Sequence, residues 1–139
     1  LLDVLEFAVS ALPTEAGTFM QVSGLRFTVD PDIPSPVMKD TETGMFSHVG
    51  EGERRVSHVE ILDKQSGEYK AVELSRQYTI ATLDYLILEQ GGSGILSCVK
   101  PDSIYWGADI EVLRHYLESV LGGNIGSEYT QPQGRIIYK

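Results

Sequence analysis

The chain has 139 residues, 42% hydrophobic and 22% charged, which is enough for one soluble globular domain with a real core and too few for two comfortable ones. Its net charge of −9, with no Lys/Arg cluster, argues against binding a nucleic-acid backbone, and most of its carboxylates read as a solvated surface. No apolar run approaches the ~20 residues of a membrane-spanning helix, and the single cysteine, Cys98, leaves no partner for an intrachain disulfide.

Leu1, Leu5, Ala8, Val9 and Leu12 share one face at helical spacing, so an amphipathic helix is expected over 1–12, closed by Pro13. There is no initiator Met, no signal peptide and no N-cap ahead of this helix, so the chain reads as a piece of a longer protein. A strand is expected over Met20–Asp30, M-Q-V-S-G-L-R-F-T-V-D. Its apolar alternation shifts by one at Gly24, where a bulge is expected. Residues 31–36 carry three prolines and read as a turn-rich exit. Residues 37–55 lack periodicity and read as a long surface loop.

Val56–Leu62 alternates as a strand, 63–68 reads as a turn, and Tyr69–Leu74 as a second strand, together a hairpin. Arg76–Leu83 is rich in strand formers, and 84–90 reads as a short helix or irregular turn before Gly91-Gly92-Ser93-Gly94. I-L-S-C-V around Cys98 reads as buried strand, so its thiol is expected to be structural. Asp109 is expected to cap a helix whose stripe is Ile110, Leu113, Leu117, Val120 and Leu121, ended by Gly122-Gly123. Gly134–Tyr138 closes the chain as a strand. Strands dominate, so the fold class is α+β.

Chemistry is sparse. His48, His58 and His115 lack ligand companions at metal spacing, the acidic residues form no calcium loop, and no serine sits in a nucleophile elbow. A catalytic triad or metal centre within the chain is not expected. Gly91-Gly92-Ser93-Gly94 lacks the P-loop lysine and the dinucleotide-binding spacing, so it reads either as a tight turn or as a weak phosphate cradle. Tyr85, near this loop, reads either as a core tyrosine or as a ring that stacks on a base while the loop meets a sugar. Trp106 reads as packing against the last helix or as part of a partner interface.

The order of these pieces resembles the C-terminal domain of the 5′-nucleotidase family. Gly17–Phe27 is close to its glycine–aromatic–x–Q-V-S-G segment. Tyr78–Leu86 resembles its Y-x-V-A-T-N-x-Y-L strand, Gly91-Gly92-Ser93-Gly94 stands where it has G-G-D-G, and Gly134-Arg135-Ile136 resembles its closing G-R-I. With the first helix included, the likeness spans nearly the whole chain. It implies mixed β-sheets flanked by helices in α/β/β/α layers, with residues 1–139 as one N-terminally truncated domain. It further implies a nucleoside or nucleotide as ligand, with Tyr85, Gly91, Gly92 and Ser93 as substrate-binding residues. In such enzymes hydrolysis falls to a preceding metallophosphatase domain with two divalent metal ions, so no catalytic or metal residue is assigned within this chain. A periplasmic, cell-surface or secreted setting and a homodimer are also implied.

The chain departs from the family pattern in three places. Ser93 replaces the aspartate, Leu83 replaces the asparagine, and the Tyr85–Gly91 spacing is longer. Two alternatives follow: a module that kept the fold and lost the nucleoside site, or a domain of a sibling hydrolase acting on 2′,3′-cyclic nucleotides or UDP-sugars.

Overall fold

The computed structural model describes residues 1–87, 93–96 and 107–139. Contacts divide the chain into a larger unit, Leu1–Val99 with Gly134–Lys139, and a smaller one, Lys100–Gln133. Mixed sheets and helices give an α+β fold, as the sequence implies.

In the larger unit, helix α1 covers Leu2–Ala8. It is shorter than the expected 1–12. Beyond Val9 the chain turns through i→i+3 bonds, Ser10 N–H to the Phe7 carbonyl and Leu12 N–H to the Val9 carbonyl. The residue before a proline is disfavoured in the helical region, and the Leu12–Pro13 bond is cis. Leu5, Ala8 and Val9 are buried as the stripe predicts, but so are Glu6 and Phe7.

Strand β1, Leu25–Val29, begins after Gly24 rather than running through it. Gly24 has φ +73, a conformation open to glycine at little cost, and its carbonyl still accepts the Leu62 N–H. The bulge expected at Gly24 does not form; a bulge lies instead further along the β1–β4 ladder. β1 pairs antiparallel with β4, Val56–Leu62, with Arg26 opposite Glu60 and Thr28 opposite Ser57. Phe27 therefore faces two residues, His58 and Val59, and the extra residue belongs to β4. His58 sits at φ 50, the left-handed region. The insertion resets the alternation, so Val56 and Val59 both point inward beneath Phe27 and Val29.

The expected loop at 37–55 contains a hairpin. β2, Val37–Lys39, pairs antiparallel with β3, Phe46–Val49. Its strands are only three and four residues long and mostly exposed, too short for alternation to register in the sequence. The hairpin of β4 with β5, Tyr69–Ala71, forms as expected, with β5 ending before Leu74. Arg76–Leu83 forms no strand. The segment is mostly exposed and irregular, Tyr78 Oη accepts the Glu73 N–H, and Arg76 lies over the Tyr78 ring. Strand formers alone do not make a strand without a ladder to join. Helix α2 is Asp84–Ile87. Ile95 and Leu96 are buried in a turn rather than in a strand. Cys98 and Trp106 lie outside the described residues.

The smaller unit contains α3, Asp109–His115, continued by a π-helical turn at Tyr116–Val120 and a short 3₁₀ turn at Ser127–Tyr129. Ala108, not Asp109, is the N-cap, and Glu111 Oε2 accepts the Ala108 N–H at 3.2 Å. Among the described residues, the Asp109 side chain accepts from its neighbour Ile110, so it serves the first turn from inside the helix. Gly122 and Gly123, at φ +62 and +77, end the helical run as expected.

Strand β6, Ile136–Tyr138, returns to the larger unit and pairs parallel with β1, completing a four-stranded sheet in the order β5-β4-β1-β6. Two apolar clusters hold this unit. Leu5, Val9, Phe27, Val29, Val56 and Val59 form the first, with Ile136 and Phe19 at its border. Phe7, Ile95 and Leu96 form the second, with Val4, Phe46, Leu86 and Ile87 around them. α1 contributes to both, which is why its buried surface is wider than a single stripe.

Candidate functional site

Of the sequence-predicted site residues, Tyr85 falls on α2 and Ser93 on the 93–96 segment. α2 is one turn long, too short to be stable alone. It is held by Leu86 and Ile87, which pack into the second cluster beside Ile95, Leu96, Phe7 and Phe46. Asp84 Oδ1 accepts the Tyr85 N–H at 2.7 Å at its start. With the next two residues turned inward, the Tyr85 side chain stays 53% exposed. The core-tyrosine reading therefore fails for Tyr85. Leu83, in the position of the family asparagine, is exposed beside it.

Ser93 is buried, and its carbonyl accepts the Phe46 N–H at 2.8 Å. That bond ties the loop to the start of β3. Gly94 follows at φ +64, and a Cβ there would lie 2.9 Å from Met45 Cε. The backbone there favours glycine, and a side chain would also have to displace the flexible end of Met45. Phe46 meets the Phe7 ring edge-on, with centroids 5.7 Å apart at 84°. So the hairpin supports the 93–96 segment and α1 supports the hairpin. The structure brings Tyr85 and Ser93 to two segments bordering one apolar cluster. Gly91 and Gly92 lie outside the described residues.

Met45 and Phe46 escaped the sequence reading because they sit in a stretch without periodicity. The only signal there was the pair of apolar residues directly after Gly44. Among the described residues, no group of three or more His, Cys, Asp or Glu side chains comes together. His48 lies on β3, His58 in the β4 bulge and His115 at the end of α3. None of the described helices is long and apolar enough to cross a membrane.

A second polar constellation was also missed. Glu6 is fully buried on α1, and its two carboxylate oxygens accept the N–H groups of Arg55 (2.8 Å) and Val56 (3.2 Å). The Arg55 guanidinium donates in turn to the carbonyls of Ile33 (2.5 Å), Val9 (3.2 Å), Ser10 (3.3 Å) and Leu12 (2.8 Å). The carboxylate thus fixes the start of β4, and the cation occupies the carbonyl end of α1, where helix polarity favours it. This constellation is inside the protein and builds the frame under the site rather than the site.

The mixed sheets and helices agree with the α+β class that the 5′-nucleotidase motifs imply. The family model described as 5′-nucleotidase, C-terminal domain, matches residues 1–100. The chain belongs to that family. The match is shorter than the motif likeness and stops ahead of Gly134-Arg135-Ile136, although β6 completes the sheet of the matched part. No curated protein and no solved structure matches the chain significantly. The chain therefore carries a domain of a 5′-nucleotidase-like protein.

Proposed function

We propose that this domain binds the nucleoside part of a nucleotide for a 5′-nucleotidase-like hydrolase acting in nucleotide catabolism. Tyr85 stacks on the base, and Gly91, Gly92 and Ser93 form the sugar side of the site. Phosphate release is assigned to a metallophosphatase domain of the parent protein that holds two divalent metal ions. A periplasmic, cell-surface or secreted setting accompanies this reading. The observation that carries it is the exposure of the Tyr85 ring on a helix whose neighbouring side chains are anchored in the core. An aromatic held out in this way presents a flat face without a folding cost on ligand arrival.

Stacking of a base on an aromatic is worth ~1–3 kcal/mol. In the full-length parent, Tyr85→Ala should therefore weaken AMP binding roughly 5- to 150-fold, while Tyr85→Phe binds as the wild type does. Because the ring is exposed, neither change should alter the unfolding free energy by more than ~0.5 kcal/mol. Equal AMP affinity of wild type and Tyr85→Ala by titration calorimetry would defeat the reading.

One observation favours a second reading, a module that retains the fold without the nucleoside site. Ser93 is 5% exposed and lacks the two-oxygen acceptance of a carboxylate. Restoring the acid as Ser93→Asp separates the two. A gain in affinity for AMP over its 2′,3′-dideoxy analogue supports a working sugar pocket, and no gain supports the second reading. UDP-glucose or a 2′,3′-cyclic nucleotide binding in place of AMP would point to a sibling hydrolase.

A further inference from the structure

We draw no further inference here: the strongest candidate, the apolar stripe of Ile110, Leu113 and Val120 along the helix of the smaller unit, exposed among the described residues, carries nothing because nothing in the structure shows what covers it.

Discussion

A buried carboxylate normally has to be compensated, and at Glu6 the compensation comes from backbone donors rather than from an ion pair. Glu6→Ala orphans the N–H groups of Arg55 and Val56 in a buried setting. At ~1–3 kcal/mol for each unsatisfied donor, it should rank among the most damaging single changes in the chain. Glu6→Gln keeps an acceptor for one donor and turns an amide NH₂ toward the other, so about half that loss is expected. Urea unfolding would read both, and a midpoint unchanged in Glu6→Ala would contradict the assigned role. Helical spacing placed Leu5, Ala8 and Val9 on the inner face and left Glu6 and Phe7 off it. That logic assumes one buried side. α1 is covered on two, by the sheet cluster and by the Phe7 cluster, and a buried polar residue on such a helix leaves no periodic trace.

The two hairpins are closed by the same device, Asp-x-x-x-Gly. In each, the aspartate Oδ1 accepts the N–H groups two and three residues on, and its carbonyl accepts the N–H of the glycine. Asp40 does so with Glu42, Thr43 and Gly44, and Asp63 with Gln65, Ser66 and Gly67. The glycines take φ +72 and +73, as left-handed turn positions require. Lys70 adds an ion pair to Asp63. Its side-chain hydrogen bond, followed by the donors of Gln65 and Ser66, lowers the Asp63 carboxyl from 3.8 to about 2. The Asp40 carboxyl is likewise lowered, chiefly by the backbone and hydroxyl of Thr43.

A carboxyl depressed in the folded state stabilises fully above its unfolded value near pH 4 and ceases to do so as pH falls through the folded one. Asp63 should therefore titrate with a midpoint of about 2 by carboxyl-carbon NMR. Asp63→Asn should flatten the fall in stability between about pH 4 and pH 2. A midpoint near the ordinary carboxylate value would remove the turn's hydrogen bonds from the account. The first of these turns was hidden by the charged, aperiodic stretch around it, whereas the second was legible because longer alternating strands flank it.

The β4 bulge makes a separate prediction. A non-glycine residue in the left-handed region costs roughly 1–2 kcal/mol, and His58 occupies that region while exposed. Glycine is the usual occupant of such a bulge. Allowing for glycine's greater freedom when unfolded, His58→Gly should stabilise the domain by about 0.5–1 kcal/mol in thermal or urea unfolding. A loss of stability would mean that the imidazole contact with Ser57 outweighs the backbone strain. The phase shift at Gly24 led to a bulge being expected there, but Gly24 lies ahead of β1. The extra residue lies instead on β4, because alternation records facing, not pairing.

For the molecule as a whole, the family, the α+β class, the central antiparallel hairpin and the closing strand were legible in the sequence. The sheet order was not. That β6 lies beside β1 follows from long-range packing of Ile136 against the Phe27 cluster, and no local signal encodes it. A chain ending at Gly134 should lose about 2 kcal/mol or more from Ile136 and the strand it anchors. It should also leave the β1 edge unpaired and prone to association. A lower urea midpoint together with concentration-dependent light scattering is the expected pair of results, and an unchanged midpoint would show that β6 is dispensable.

The β1–β6 pairing also fixes a timetable for synthesis. β1 and β4 leave the ribosome well before β6, so one edge of β1 can pair while its other edge waits until residues 136–138 have been made. Through that interval the nascent sheet offers an open template to neighbouring chains. Slowing translation across 107–135, or depleting the chaperones that cover nascent strands, prolongs the hazard without altering a single contact in the finished protein.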